Sequence, residues 1–99
     1  MRLCIERNEE QTSWKGEMGQ YEVLAICNEI AHDMVELRSS GKTPPREEAA
    51  VLDIDAQKLC VEYIPGTQQF SWTRNGLSAL DTEIMCLIVI GEIYASWQK

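Results

Sequence analysis

Seven consecutive apolar residues, Ile84 to Ile90, constrain the fold of this 99-residue chain more than any other feature of its sequence. A run this short cannot cross a bilayer, which requires about 20 apolar residues, so it has to be buried against the rest of the chain. Ser78 is followed three residues later by Asp81, a start that resembles a capping box, and we predict a helix from there to about Trp97. Because its middle is apolar all the way round, we expect this helix to be the central core helix.

A second helix is predicted from about Gln20 to Ser39. Apolar residues recur in it at helical spacing and form a single stripe, which consists of Val23, Cys27, Ile30, Met34 and Leu37. Gly41 suits a left-handed cap, and the prolines that follow cannot continue a helix. One stripe indicates that one side of this helix is buried and the other side faces water.

Alternation of apolar and polar residues predicts short strands, which are RLCIER near the start of the chain, KLCVEYI at 58–64 and FSWTR at 70–74. Residues 44–52 carry conflicting signals. Thr43 followed by Pro44 is a good helix start, whereas AVLDID at 50–55 alternates like a strand. We expect one or two helical turns there and then a further strand. The polar segment NEEQTSWKGEMG, after the first strand, is expected to be a connection.

These elements follow the order β-α-β-β-β-α. Strands that lie close together in the sequence suit an antiparallel meander. We therefore predict a small α+β domain that spans residues 1–99 as a single domain, without an internal repeat. Its antiparallel sheet has three to four strands, and its two main helices pack on one face of that sheet.

The chain has a formal net charge of −7, with 44% apolar and 25% charged residues. This is the composition of a globular domain and not of a disordered segment. The negative charge repels nucleic acid and anionic membranes, and it attracts basic partners. We therefore expect a protein partner with a basic surface, no direct contact with nucleic acid and no membrane association.

The four cysteines are too far apart in sequence to form a CxxC zinc or redox motif. All of them lie in apolar or strand-like runs, so we predict buried thiols in a reducing compartment. A secreted framework with two disulfides is the alternative. The first ten residues, MRLCIERNEE, carry charges throughout and do not resemble the apolar part of a signal segment, so a cytoplasmic protein is expected.

The stretch NEIAHDMVE contains Glu29 and the only histidine, His32, one helical turn apart. Such a pair can be half of a metal site, but metal chemistry needs three or four protein ligands. Di-metal sites in helix bundles need two Glu-x-x-His motifs and further glutamates, which only a symmetric dimer could supply here. We therefore expect a surface histidine beside two carboxylates and no metal or other cofactor.

Four acidic residues of the same helix fall within about 60° of each other around its axis, and these are Glu22, Glu29, Asp33 and Glu36. Like charges at these spacings destabilise a helix by a few tenths of a kcal/mol per pair. A chain that carries them can be using them to bind a basic partner, and the alternative is an acidic face that only contacts water. Trp14, in its polar segment, could anchor such an interface, or it could cover one end of the core.

Asp53 and Asp55 lie on the same side of the predicted strand at 50–55, about 7 Å apart. Paired carboxylates can hold Mg²⁺, but no third acid, lysine or phosphate-binding loop accompanies them. An acidic strand edge that discourages aggregation is the simpler interpretation.

The sequence has no phosphate-binding loop, dinucleotide fingerprint, zinc-protease motif or nucleophile elbow, and we do not expect an enzyme. The leading hypothesis is a small inhibitor that neutralises a basic, nucleic-acid-handling protein by presenting a nucleic-acid-like charge, of the immunity, antitoxin or phage anti-defence type. One alternative is a small dimeric subunit or chaperone-like interaction protein, held together by apolar faces. Another is a metal-dependent enzyme that uses Glu29 and His32 across a dimer.

Overall fold

A four-stranded antiparallel sheet and two helices make up the fold. The computed structural model describes residues 1–8, 11–47, 57–67 and 69–98. Its elements are β1 (Arg2–Asn8), β2 (Gln11–Gly16), α1 (Gln20–Ser40), β3 (Lys58–Ile64), β4 (Gln69–Asn75) and α2 (Ala79–Trp97). The strands lie in the order β2-β1-β3-β4, and all neighbours are antiparallel.

The core lies between one face of the sheet and the two helices. Successive strand side chains point to opposite faces, so alternate apolar residues of the central strands share the covered face. These are Leu3 and Ile5 on β1 and Leu59 and Val61 on β3, all fully buried. Trp72 of β4 and the inner sides of both helices complete the core. The predicted α+β fold, with an antiparallel sheet and two helices on one face, is confirmed.

The segment predicted to be a polar connection contains strand β2, so that prediction was wrong. β2 pairs with β1 throughout, and Trp14 lies opposite Ile5 and packs against the core. A Cβ atom at Gly16 would lie 2.7 Å from the carbonyl oxygen of Arg2, so only glycine allows this close pairing. The pairing with β1, and not the local apolar pattern, makes this segment a strand.

The beginning of the ambiguous 44–52 segment forms a turn followed by an isolated parallel bridge between Glu47 and Trp72. The Trp72 amide donates a hydrogen bond of 3.0 Å to the carbonyl oxygen of Arg46. Residues 44–47 are therefore not helical, because they lie along the outer edge of β4. The strand predicted at 50–55, including Asp53 and Asp55, lies outside the described residues.

The apolar run of α2 is only half buried, which corrects the prediction of a central core helix. Met85, Cys86 and Val89 are buried, whereas Leu87 and Ile88 are exposed. The physical reason is that the sheet and α1 cover only one side of α2 in a domain with two layers.

The prediction of four buried thiols was wrong for Cys4 and Cys60. The two residues lie directly opposite each other on β1 and β3, with Cα atoms 4.2 Å apart, and form a disulfide. Because their neighbours in sequence point into the core, both sulfurs are on the uncovered face of the sheet. Cys27 and Cys86 are free and buried, as predicted. A hydrogen bond with Cys27, together with burial, raises the pKa of the Cys86 thiol.

The chain folds as two successive ββα units, which overturns the expectation that it has no internal repeat. The sequence RLCIE at 2–6 of β1 matches KLCVE at 58–62 of β3, and QTSW at 11–14 of β2 matches QFSW at 69–72 of β4. The central strands pair so that Cys4 faces Cys60, the equivalent residue of the other unit. An approximate two-fold axis therefore passes through the disulfide.

The two helices are also equivalent. Adding 59 to an α1 residue number gives the corresponding α2 residue, so that Cys27 corresponds to Cys86. With that shift, the buried Val23, Ile26, Cys27, Ile30 and Met34 correspond to the buried Thr82, Met85, Cys86, Val89 and Ile93. The inner sides of the helices are thus alike. The outer sides of the two helices can then be compared position by position. A residue type that differs between equivalent outer positions is not required by the fold.

Candidate functional site

The acidic ridge of α1 consists of Glu22, Glu29, Asp33 and Glu36, as the helical spacing predicted. Glu29 and Glu36 are exposed, and Glu22 and Asp33 are half-buried. His32 lies beside the ridge, with its Nδ1 atom 4.0 Å from a carboxylate oxygen of Glu36. The structure therefore places the ridge on the surface, on the side of α1 that does not pack into the core.

One ridge carboxylate is partly neutralised by a residue that the sequence did not connect with it. The guanidinium of Arg46 forms an ion pair with Glu29 and lies over the ring of Phe70, 4.6 Å from its centroid. Arg46 reaches this position because its backbone is bound to the edge of β4 at Trp72. Helical spacing reports only neighbours within a helix, so no signal in the sequence indicated this contact.

Asp33 differs electrostatically from the other ridge acids. Partial burial raises the pKa of its carboxyl above the ordinary value of 3.8, because a charged carboxylate loses hydration there. The positive charges of Arg46 and His32 act in the opposite direction, and the negative charges of Glu29 and Glu36 add to the rise. Folding therefore makes the charged form of Asp33 less favourable than it is in the unfolded chain.

A cavity of about 390 Å³ adjoins the ridge, between α1 and the β3–β4 half of the sheet. We call it the α1 groove, and it is lined by Tyr21, Glu22, Ala25, Ile26, Glu29, Arg46, Tyr63 and Phe70. Its size is at the lower end of the range of ligand clefts, roughly 300–1,000 Å³. Three aromatic rings, two carboxylates and the guanidinium of Arg46 form its lining. Since Arg46 pairs with Glu29, the second carboxylate and the rings suit one further cationic group.

Glu22 has an unusual environment in this groove. Its Oε2 atom is covered from solvent and accepts no hydrogen bond from the described residues. Glu22 also lines the groove, so a rotation of its carboxyl group would present this acceptor to a bound cation.

Trp14 lies apart from the ridge. It belongs to β2 at one edge of the sheet, whereas the α1 groove adjoins β3 and β4 on the other side. Its side chain is half-buried and packs against the core. The structure does not bring Trp14 together with the four ridge acids.

The Glu29–His32 pair is likewise not assembled into a metal site. Glu29 pairs with Arg46, and His32 approaches Glu36 instead. Within the described residues, no three acidic, histidine or cysteine side chains are grouped as they would be around a metal ion.

The outer side of α2 forms a second surface, which sequence reasoning missed because an apolar run was taken as buried. We call it the α2 apolar face, and it consists of the exposed residues Leu80, Ile84, Leu87, Ile88, Gly91, Tyr94 and Ala95. At 100° per residue these positions span about 120° of the helix without a charge. The equivalent positions of α1 include Glu29, His32 and Glu36, so the fold does not require an apolar outer side.

Comparisons of the chain with protein-family models, curated proteins and solved structures find no match. In the part of the chain that the structure describes, no helix is long and apolar enough to cross a membrane.

Proposed function

We propose that this protein is a small acidic inhibitor that binds a basic, nucleic-acid-handling protein through the ridge of α1, in the manner of an immunity, antitoxin or phage anti-defence protein. The observation that carries the proposal is the row of Glu22, Glu29, Asp33 and Glu36 along one side of α1, two of them exposed and two half-buried, in a chain with net charge −7. A row of carboxylates along a helix offers a basic groove some of the charge that a nucleic-acid backbone would offer.

Charge of this kind acts mainly on the rate of association and on the choice of partner. Complementary charges speed the encounter of two proteins by orders of magnitude, and salt weakens the effect. The same negative charge repels nucleic acid itself, so the proposed partner is the protein and not its nucleic acid.

Capture of partners from a source lysate tests the proposal when it is done at low and at moderate salt. A variant with Glu29→Gln, Asp33→Asn and Glu36→Gln should capture much less of the partner than the wild type. The matched control is Glu6→Gln, Glu17→Gln and Glu92→Gln, which removes the same charge outside the ridge. Equal loss in both variants, or a captured partner whose binding ignores salt, would contradict a role for the ridge.

The cytoplasmic location expected from the sequence remains a prediction, and the disulfide gives a reason to test it. Disulfides persist mainly in oxidising compartments. Source cells quenched in acid, then denatured in the presence of an alkylating reagent, would show two free cysteines by mass analysis for an oxidising compartment and four for a reducing one.

The α2 apolar face favours a second candidate function, that of a dimeric subunit. In an antiparallel pair of α2 helices with a two-fold axis between residues 87 and 88, Ile84 lies opposite Gly91 and Leu80 lies opposite Ala95. Bulky side chains thus meet small ones. A Cβ atom built at Gly91 has no atom of another described element within 4 Å, so the space beside Gly91 is open to a partner helix. The face is self-complementary, as a two-fold interface requires.

Sedimentation over a range of protein concentrations tests this second candidate. Leu87→Lys should give a monomer, whereas Ile64→Lys should not change the mass. The two residues are matched, since Leu87 is 52% exposed on α2 and Ile64 is 56% exposed on the uncovered face of the sheet. A wild-type protein that stays monomeric at high concentration would exclude the dimer.

A further inference from the structure

We propose that the α1 groove binds one arginine side chain of the basic partner, with Glu22 as the carboxylate that receives it. This inference rests on the proposed function and deepens it, because it assigns the ridge a specific receptor site. The groove is otherwise an open cleft beside a carboxylate oxygen that accepts no hydrogen bond from the described residues.

The equivalent contact between the two units shows what Glu22 lacks. Under the internal equivalence, Glu22 of α1 corresponds to Asp81 of α2, and Tyr63 of β3 corresponds to Arg7 of β1. Arg7 and Asp81 form an ion pair at 3.5 Å. At the position equivalent to Arg7, the second unit has Tyr63, so α1 keeps the acid Glu22 while the equivalent of its cation is missing.

The walls of the groove favour a guanidinium over a compact ammonium ion. Tyr21, Tyr63 and Phe70 line the groove, and a planar guanidinium stacks well on aromatic rings. The Phe70 ring already has Arg46 over it, and the Tyr21 ring packs against Trp97, 5.1 Å away, so Tyr63 is the remaining aromatic wall. Tyr21 is 78% exposed and can move to admit a side chain. Arg46 already demonstrates this chemistry at one end of the groove, where it lies over Phe70 and pairs with Glu29.

Glu29 is thus already supplied with an arginine by the chain itself. Glu22 lies two turns earlier on the same side of α1, and its Oε2 atom has no such partner among the described residues. The incoming side chain would contact Glu22 and the tyrosines, and would leave the Arg46 contact in place. A partner's arginine therefore completes a pair of acid–guanidinium contacts of which the chain provides only the first.

A small-molecule titration tests the proposal without the partner. N-acetylarginine amide is added to ¹⁵N-labelled protein, and amide chemical shifts are followed. We expect saturable shifts at Tyr21, Glu22 and Tyr63 with a roughly millimolar dissociation constant, as for a single weak contact. N-acetylcitrulline amide, which has the same shape without the charge, should cause no saturable shift there.

Two variants and one control make the test specific. Glu22→Gln should weaken arginine binding by about tenfold or more, because a charged hydrogen bond is lost. Asp81→Asn is the matched control, since it removes the equivalent acid from the first turn of α2, and it should leave the affinity unchanged. Tyr63→Arg places the missing guanidinium in the groove and should abolish binding of the probe.

Several outcomes would overturn the proposal: equal binding of arginine and citrulline derivatives, equal binding of N-acetyllysine amide, or full binding by Glu22→Gln. Failure of the proposed function gives a different combination of results from failure of the groove proposal. If the probe binds as expected but no basic partner is captured, the groove stands and the inhibitor proposal falls. If a partner is captured with the expected salt dependence but the probe does not bind, only the groove proposal fails.

Discussion

Reduction of the disulfide between Cys4 and Cys60 should destabilise this protein strongly. The bond joins residues separated by 56 positions and so closes a long loop in the unfolded chain. With the chain-entropy relation for cross-links, a loop of this length contributes about 4 kcal/mol to the free energy of unfolding at 25 °C. Small domains have total stabilities of about 5–15 kcal/mol, so the loss would be a large fraction.

Urea unfolding with and without a reductant measures this effect. For a domain of this size the free energy of unfolding falls by about 1–3 kcal/mol per molar urea, so the midpoint should drop by roughly 1–4 M on reduction. Both sulfurs are on the uncovered face of the sheet, and the two residues are only half-buried, so a small reductant can reach them. The Cys4→Ser, Cys60→Ser variant should unfold like the reduced protein, whether or not reductant is present.

A thiol count in denaturant provides an independent check. Protein purified without reductant should have two reactive thiols, Cys27 and Cys86, and reduced protein should have four. Four thiols in the unreduced protein, or an identical urea midpoint before and after reduction, would refute the reasoning.

Three further substitutions have defined expectations. Met34→Ala empties a fully buried position and should lower the free energy of unfolding by about 2–5 kcal/mol in urea titrations. Ser78→Ala removes the oxygen that accepts a 3.1 Å hydrogen bond from the Asp81 amide, and should cost about 1 kcal/mol and lower the melting temperature. The raised pKa of Asp33 means that the folded protein holds this proton more tightly than the unfolded chain, so Asp33 destabilises the fold above its folded pKa. Asp33→Asn should therefore stabilise the protein at pH 7, and thermal melts should show the gain shrinking as the pH falls through the raised pKa towards 3.8; a gain that grows on acidification would contradict this sign.

The spacing of apolar residues predicted those helices and strands whose own sequence has a helical or alternating apolar pattern. The bounds of β3 and both helices agree closely with the alternation and the stripes in the sequence. Strand β2 was missed because only Trp14 is apolar among its central residues, and its conformation depends on pairing with β1. The disulfide follows from strand direction and register, which place two cysteines opposite each other on the outer face.

The functional surfaces were predictable only in part. Helical spacing located the four ridge acids, because it fixes their directions around one axis. It could not show that Arg46 pairs with Glu29 or that Tyr63 and Glu22 line the same groove, since these residues lie in distant parts of the chain. The ββα repeat was detectable, by comparison of RLCIE with KLCVE, but the outer helix residues differ so much that the similarity is confined to strand centres and buried positions.

The arrangement of two ββα units in one chain has a consequence for how its surfaces can change. In a symmetric dimer of identical ββα units, every substitution would occur twice. A substitution that changed the surface of one helix would therefore change the surface of the other in the same way. In a single chain, each unit accumulates substitutions alone while the shared inner side is kept. Here the outer side of α1 is acidic and that of α2 is apolar, so a scaffold with two like halves presents two chemically different surfaces.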